Sequence, residues 1–283
     1  MPIFSSDENK AAYTVFHDAI LEKRVHSPYA IRRYAHHSQY HAFVDLVPAG
    51  CTVLDAGAGE GVLSVLLAKK GCKVLGVDLS QPNVESAKAY AEQEGVADRV
   101  TFVQGDAEHL PAEDASYDYV VSSHVLEHLP DFQRGARELR RVAKKCVIAA
   151  IPTCLSPASA VLLGGDKYWC ISRSTPYGFL LGSLRVLWAF VTGAEGVNEG
   201  YAGHPELIHI HRFPWRGAAR LRAAGLRVQS YRASSFPIPY FALFVPFSRW
   251  LGRFAAMPVL RNFGYGTTYV CSIDGEVDSA FVG

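Results

Sequence analysis

Hydrophobic and polar positions change their spacing at about residue 52. From there, short apolar runs rich in Val, Ile and Leu alternate with longer runs in which apolar residues recur at helical spacing. Strands are predicted before residue 152 at 52–55, 73–77, 100–103, 117–122 and 146–151, and helices between them at 62–70, 82–93 and 132–142. Strands that alternate with helices are typical of βαβ units, so the pattern predicts a doubly wound α/β fold with a mostly parallel sheet.

The alternation is interrupted twice after residue 152. Residues 153–213 are rich in Gly, Leu and aromatic side chains, and residues 233–266 form a second apolar excursion with several prolines. Between them a helix is predicted at 214–224 and a strand at 226–232, and 267–273 predict a final strand. We therefore expect four parts: an N-terminal helical cap (1–44), a core (45–152), an inserted apolar lid (153–213) and the C-terminal part of the core (214–283).

Charge and cysteine usage exclude some classes of protein. The 283 residues contain 28 Lys and Arg against 27 Asp and Glu, a net charge of +1, which argues against nucleic acid as a partner. The six cysteines form no C-x-x-C pair, so we expect reduced thiols and a cytoplasmic location. The first residues do not resemble a secretory signal, and no apolar run reaches the roughly 20 residues of a membrane span.

Aromatic residues are concentrated in the second half of the chain. All four Trp and 21 of the 33 aromatic residues follow residue 152. An aromatic lid beside the sheet would suit a hydrophobic small-molecule acceptor and would exclude water. The same residues would also suit the core of an added subdomain or a homodimer interface. A peripheral membrane contact is a further alternative, which the sequence does not favour.

A glycine-rich loop follows the first predicted strand. It reads Asp55-Ala-Gly57-Ala-Gly59-Glu-Gly61, and Asp78 ends the next strand 19 residues after Gly59. Glycines at this point let the backbone approach a ligand closely, and a carboxylate after the second strand is placed to bind ribose hydroxyls. A nicotinamide site expects G-x-G-x-x-G, whereas here the third glycine comes one residue early.

Four blocks together resemble the class I, Rossmann-like S-adenosylmethionine-dependent methyltransferases, in the style of the ubiquinone and menaquinone pathways. They are the glycine loop with its strand, V-L-D-A-G-A-G-E-G at 53–61; V-L-G-V-D-L-S at 74–80; G-D-A-E-H-L-P at 105–111; and the block from Y-D at 117–118 to V-L-E-H-L-P-D at 125–131. The resemblance covers roughly residues 45–152. It implies a seven-stranded sheet whose last strand is antiparallel.

The resemblance also implies roles in binding the methyl donor, S-adenosylmethionine, and its product S-adenosylhomocysteine. Gly57 and Gly59 would flank the methionine and ribose parts, and Asp55 would lie near the methionine ammonium. Asp78 would bind both ribose hydroxyls. Asp106 would accept a hydrogen bond from the adenine amino group, with Ala107 beside the ring. The remaining predicted donor-site residues are Gly61, Leu79, Ser122 and Ser123.

Three histidines are the candidates for chemistry. His124 follows the fourth strand and should face the donor cleft, whereas His209 and His211 alternate along an extended segment and should share one side of it. A histidine would act as general base if the acceptor is a hydroxyl. A metal site is not favoured; the alternative is a site formed by His124, Glu127 and His128, whose spacing would place them on one face of a helix.

The sequence therefore predicts an S-adenosylmethionine-dependent methyltransferase acting on a hydroxyl of a hydrophobic or aromatic small molecule, such as a specialised metabolite, a quinone or a lipid-like acceptor. Transfer to nitrogen or carbon is an open alternative, because no residue pattern names the acceptor atom. A non-catalytic binding protein that retains the nucleotide cleft is the alternative from another class.

Overall fold

The computed structural model describes residues 6–17, 19–200, 204 and 206–273. Parts of the expected cap (1–5 and 18) and lid (201–203 and 205), together with the C-terminal tail (274–283), lie outside these residues. The N-terminal part contains α1 (Ser6–Thr14), a π-helical turn (Leu21–Val25) and α2 (Ala30–Leu46).

A single seven-stranded sheet forms the centre of the molecule. The core elements are β1 (Thr52–Ala56), α3 (Val62–Lys69), β2 (Lys73–Asp78), α4 (Gln81–Gln93), β3 (Val100–Gln104), β4 (Tyr117–Ser123), α5 (Phe132–Val142) and β5 (Ala143–Pro152). The C-terminal elements include α8 (Pro214–Ala223), β8 (Arg227–Ala233) and β9 (Gly266–Ser272). The strand order is β3-β2-β1-β4-β5-β9-β8, and β9 runs antiparallel to the other six strands. The predicted fold is confirmed.

The sheet is covered on both faces by apolar residues. One core joins α3 and α4 to the sheet and includes Phe43 of α2; the other joins α5 and α8 to the opposite face through residues such as Leu139 and Leu221. Local signals begin these helices where the sequence predicts. The Ser80 hydroxyl accepts the Asn83 N–H before α4, and the Asp131 carboxylate accepts the Arg134 N–H before α5.

The two apolar excursions contain further helices. The first holds α6 (Pro157–Leu163), α7 (Thr175–Val191) and a hairpin of β6 (Gly196–Asn198) with β7 (Ile210–Arg212). The second holds α9 (Val245–Gly252) between two short 3-10 turns, Ala242–Phe244 and Leu260–Asn262. None of the helices in the described part of the chain is both long enough and apolar enough to cross a membrane.

Candidate donor and acceptor site

The loop after β1 turns sharply through three glycines. Gly57, Gly59 and Gly61 have φ angles of 77°, 54° and 77°, which residues with a side chain rarely adopt. A side chain at two of these positions would also collide with a neighbouring residue. A Cβ atom on Gly57 would lie 2.1 Å from Val125, and a Cβ atom on Gly61 would lie 2.7 Å from Phe102. The glycines thus leave a bare backbone at the carboxyl end of β1.

The carboxylate at the end of β2 is bound into this loop. The Gly59 N–H donates to Oδ2 of Asp78 at 2.8 Å. The Ser80 N–H and the Asn83 side-chain amide donate to Oδ1 at 2.9 and 3.2 Å. These donors hold the Asp78 carboxylate in one orientation beside the glycine loop.

The carboxylate after β3 is paired with a residue from α1. Lys10 Nζ lies 2.7 Å from Asp106 Oδ2 and 2.6 Å from Glu108 Oε2. Burial raises the pKa of Asp106, but the hydrogen bonds from Lys10 and from the Glu108 N–H outweigh it and lower that pKa. Ala107 lies in the turn between the two carboxylates. Leu79 follows Asp78 at the end of β2, and its carbonyl accepts a hydrogen bond from Gln104.

The N-terminal strap, defined as residues 10–17 and 19–21, lies across the same strand ends. Glu60 of the glycine loop is 3% exposed; its carboxylate lies 2.9 Å from His17 Nε2 and accepts the Leu21 N–H at 2.8 Å. The Ser86 hydroxyl also donates to it, at 2.9 Å. A Cβ on Gly59 would lie 3.1 Å from Ile20. The strap is therefore held against the glycine loop by hydrogen bonds as well as by packing.

Two more contacts fix the strap to its surroundings. Ser80 Oγ donates to the Phe16 carbonyl at 2.5 Å, beside the Asp78 carboxylate. The Tyr13 hydroxyl lies 2.8 Å from His128 Nδ1, in the segment after β4. The strap thus connects the donor side of the cleft with the histidine-rich side.

Asp55 and the β4 serines lie deeper. Asp55 is 1% exposed and accepts the Ser64 hydroxyl at 2.7 Å. Burial raises the pKa of Asp55 to about 7. At the end of β4, Ser122 is buried, and among the described residues its hydroxyl has no hydrogen-bond partner. Ser123 ends the strand, next to His124.

His124 forms a dyad with Glu127. His124 has a φ of 59°, so the chain turns sharply as it leaves β4. Its Nδ1 lies 3.1 Å from Glu127 Oε1, and its Nε2 lies 2.9 Å from the side-chain nitrogen of Gln39 in α2. An Nδ1–H that donates to Glu127 and an Nε2 lone pair that accepts from Gln39 satisfy both contacts, so Nε2 is the basic atom.

Glu127 is completely buried and remains ionised. Burial raises its pKa, but the hydrogen bond and charge of His124, with the charges of His128 and His209, outweigh burial and lower that pKa to about 2. Its second oxygen, Oε2, has no hydrogen-bond partner in the described part of the chain. The charge of Glu127 also contributes to raising the pKa of His209.

His209 and His211 bind one carboxylate. Oε2 of Glu199 lies 3.1 Å from His209 Nδ1 and 2.7 Å from His211 Nε2, which confirms that the two imidazoles share one side of the extended segment. The His209 ring is also stacked on His128, with centroids 4.5 Å apart. Burial lowers the pKa of His209, but Glu199 outweighs it and raises that pKa. In His211 burial dominates and lowers the pKa.

The prediction that His124, Glu127 and His128 share one face of a helix is wrong. The segment after β4 is a turn, because the left-handed conformation of His124 breaks any helix there, and His128 faces His209 instead of joining His124. The described residues contain two groups whose ligand atoms lie within 4.8 Å of one another: Glu127, His128 and His209, and Glu199, His209 and His211. Imidazole and carboxylate ligands of this kind suit zinc, iron or manganese better than magnesium.

Sequence reasoning missed four contributors to the site: Lys10, Gln39, Glu60 and Glu199. Glu60 had a signal, since it lies inside the glycine motif. Lys10 and Gln39 contact residues of the site that are 85 or more positions away in the chain. Glu199 follows β6, in the hairpin of the first excursion. No local pattern marks them.

Comparison with known proteins agrees with this geometry. Residues 54–151 match the family model described as a methyltransferase domain. The chain is 32% identical over 191 residues to the ubiquinone biosynthesis O-methyltransferase of Xanthomonas axonopodis pv. citri, covering 65% of this chain and 66% of that protein. It is 36% identical over 114 residues to sterol 24-C-methyltransferase ERG6B of Gibberella zeae, covering 40% and 30%.

A third relative is norajmaline N-methyltransferase of Rauvolfia serpentina, 37% identical over 92 residues that cover 32% of each chain. The matches therefore span from less than a third to about two thirds of the length of these relatives.

Solved structures share the fold at low identity. A S-adenosylmethionine-dependent methyltransferase from Aquifex aeolicus superposes with a TM-score of 0.50 and 16% identity, over 96% of this chain and 100% of that one. The [4+2]-cyclase SpnF superposes with a TM-score of 0.53 and 17% identity, over 84% and 80%. Since a protein named as a cyclase has this fold, the fold by itself does not establish methyl transfer. The sheet topology, the glycine loop and the domain match together identify the chain as a member of the class I, Rossmann-like S-adenosylmethionine-dependent methyltransferases.

Proposed function

We propose that the protein transfers a methyl group from S-adenosylmethionine to a hydroxyl of a hydrophobic or aromatic small molecule. The observation that carries the proposal is the position of the His124–Glu127 dyad. It lies directly after β4, and β4 pairs with β1, which leads into the glycine loop tied to Asp78. A base next to a donor site is the arrangement that transfer to a hydroxyl requires.

The residues at the strand ends fit S-adenosylmethionine. The bare backbone at Gly57 and Gly59 supports close approach of the methionine and ribose parts, and the Asp78 carboxylate beside this loop would accept hydrogen bonds from the ribose hydroxyls. Asp106 would accept from the adenine amino group beside Ala107, in a site that also includes Gly61 and Leu79. The buried Ser122 hydroxyl, which has no hydrogen-bond partner among the described residues, supports a polar ligand group near the end of β4, alongside Ser123.

When bound, S-adenosylmethionine supplies an electrophilic methyl group on a sulfonium. In our proposal His124 Nε2 would accept the proton of the acceptor hydroxyl as the hydroxyl oxygen bonds to the methyl carbon, while the bond between that carbon and the donor sulfur breaks and S-adenosylhomocysteine is the leaving group. Glu127 stabilises the imidazolium that results and keeps Nδ1 protonated. Gln39 marks the place of the acceptor hydroxyl, because both groups donate to Nε2. Alignment of the two reactants supplies much of the remaining acceleration.

His209 and His211 have a positioning role in this proposal. Glu199 binds both imidazoles, and His209 stacks on His128. These contacts hold the histidines in fixed orientations near the dyad. No metal is required by the mechanism proposed here. The two carboxylate–histidine groups make addition of a chelator a necessary control in any assay.

The acceptor's apolar character is supported by the excursions. We propose that the cap (1–44) closes over the donor and that 153–213, with 233–266, shelters the acceptor. The relatives are named for transfer to oxygen, nitrogen and carbon, so the choice of hydroxyl rests on the dyad alone. A cytoplasmic location is supported by the six free cysteines.

Transfer is tested with a donor that carries a trideuterated methyl group. Purified protein and this donor are incubated with a panel of phenols, hydroquinones and hydroxylated lipids, and products are identified by mass spectrometry. We expect a product in which the labelled methyl group replaces a hydroxyl hydrogen. Label on nitrogen or carbon would contradict the hydroxyl assignment. Donor binding without transfer to any acceptor would favour the binding-protein alternative.

A further inference from the structure

The helix α7 exposes large apolar side chains to solvent and buries only small residues. Its buried positions are Gly178, Gly182 and Ala189, all small. Its large apolar side chains are exposed, with fractions that reach 74% for Tyr177: Tyr177, Phe179, Leu180, Leu181, Leu184, Leu187, Trp188, Phe190 and Val191. A soluble surface helix shows the reverse, with large apolar residues inward.

The small residues allow α6 and α7 to touch through their backbones. A Cβ atom on Gly182 would lie 1.7 Å from the Ala160 carbonyl oxygen, and one on Gly164 would lie 1.7 Å from the Gly178 carbonyl oxygen. Small residues at a helix contact, with large apolar residues facing outward, are the pattern of helices packed in lipid. Since α6 covers the side of α7 that carries the small residues, the side with the large apolar residues is available to a partner.

The second excursion extends the same surface. The Tyr240 N–H donates to the Tyr168 carbonyl at 2.8 Å, and Tyr240 and Val245 pack with Tyr168 and α6 residues in one cluster. Around α9 the large side chains are again exposed, up to 86% for Leu243: Phe241, Leu243, Phe244, Phe247, Trp250, Met257 and Val259. The two excursions are thus joined through Tyr168 and α6, and each carries a set of exposed apolar residues; together we term these residues the apolar face. Exposure on this scale marks an interaction surface.

The part of the chain that carries the apolar face is rich in cations. Residues 167–273 contain twelve Lys or Arg against three Glu, a net charge of +9, although the whole chain has +1. The stretches 167–194 and 207–273 contain neither Asp nor Glu. Lys167 and Arg173, which precede α7, and Arg249 and Arg253, in and directly after α9, are exposed. None of the ion pairs among the described residues involves them. Exposed cations beside aromatic and aliphatic side chains are typical of segments that lie at an anionic membrane surface.

We propose that α7 and the α9 segment form a docking surface for an anionic lipid bilayer, with α7 lying in the plane of the interface. Leu, Trp and Phe side chains enter the boundary between headgroups and acyl chains, and the surrounding cations bind lipid phosphates. The proposal does not depend on methyl transfer, since it uses no residue of the donor site or the His124–Glu127 dyad. It would bring the acceptor side of the protein to a place where lipid-like molecules are concentrated.

The test is sedimentation with vesicles of phosphatidylcholine alone or mixed with phosphatidylglycerol, in the absence of donor. We expect the protein to sediment with the mixed vesicles and to be released by high salt. L184E/W188E on one turn of α7 should weaken binding at least about tenfold. R249Q/R253Q should weaken binding to the mixed vesicles only.

Control variants introduce a Glu or remove an Arg on exposed positions elsewhere: Q93E on α4 and R137Q on α5. Both should bind vesicles as the unaltered protein does. Thermal melting of every variant confirms folding, and calorimetry with S-adenosylhomocysteine reports the donor site separately.

Failure of the unaltered protein to sediment with either vesicle overturns the proposal. Light scattering that shows a dimer dissociated by L184E/W188E, without vesicle binding, assigns the apolar face to a second copy instead. Equal binding to both vesicles, unaffected by R249Q/R253Q, contradicts the anionic-lipid assignment.

Discussion

Nδ1 of His124 lies 3.1 Å from Oε1 of Glu127, a carboxylate with no exposed surface. A buried ionised partner determines which imidazole nitrogen holds the proton, and Gln39 approaches the other nitrogen. The turn after β4 therefore presents one basic atom to the cleft. This arrangement supports transfer to a hydroxyl, and it can be tested one residue at a time.

Replacement of His124 by Gln should lower kcat by about a hundredfold or more, because general-base catalysis contributes roughly 10²–10⁴. The affinity for S-adenosylhomocysteine should change by less than about threefold, since His124 is outside the proposed donor contacts. Steady-state kinetics and calorimetry measure the two quantities. H41Q, on an exposed position of α2, is the matched control and should keep full activity. Equal activity of H124Q and H41Q would remove His124 from the mechanism.

Asp78→Asn should weaken S-adenosylhomocysteine binding by at least about tenfold, because each hydrogen bond to a charged group contributes roughly 1.5–3 kcal/mol. The substitution also disturbs the Gly59 N–H, which donates to Asp78 Oδ2 at 2.8 Å. Calorimetry measures the change. D98N, on an exposed residue before β3, should bind like the unaltered protein. Affinity of D78N equal to that of D98N would contradict the proposed ribose contact.

Asp55→Asn should stabilise the protein more at pH 8 than at pH 5. Burial raises the pKa of Asp55 to about 7 in the folded protein from a usual 3.8, so the folded state binds the proton more tightly than the unfolded state. Stability therefore falls as pH rises from about 4 to 7, by up to about 4 kcal/mol. The amide removes this loss. Denaturant unfolding at both pH values is the measurement, and a gain independent of pH would show that Asp55 is not protonated by burial.

Lys10→Met should loosen the N-terminal strap. Lys10 forms ion pairs with Asp106 and Glu108, and both contacts are lost in the variant, whereas the strap's other hydrogen bonds remain. Amide exchange in residues 10–17 should therefore speed up by about tenfold while exchange in β1 and β4 is unchanged. K88M, on α4, is the control. Unchanged exchange in the strap would show that Lys10 does not hold it.

The sequence predicts the sheet and the donor loop well because their signals are local. The glycines of 57–61 and the carboxylate of Asp78 must follow their strands directly, and the strands show as runs of Val, Ile and Leu. Resemblance to a family, not spacing, supplied the antiparallel last strand. The sequence predicts that the excursions are apolar, but it does not predict that α7 exposes its large side chains.

Other parts of the site depend on contacts that no local pattern contains. Lys10 reaches Asp106 across 96 residues and Gln39 reaches His124 across 85. The helical face expected for His124, Glu127 and His128 fails because His124 takes a positive φ, which the spacing alone does not reveal. Glu199 meets His209 and His211 only because β6 and β7 form a hairpin.

Calorimetric titration of the unaltered protein with S-adenosylhomocysteine tests the central claim most directly. The account predicts saturable binding of one molecule per chain and a rise in melting temperature as the ligand is added. Absence of both heat and thermal stabilisation at saturating ligand would contradict a donor site at the glycine loop, and with it the proposed methyl transfer.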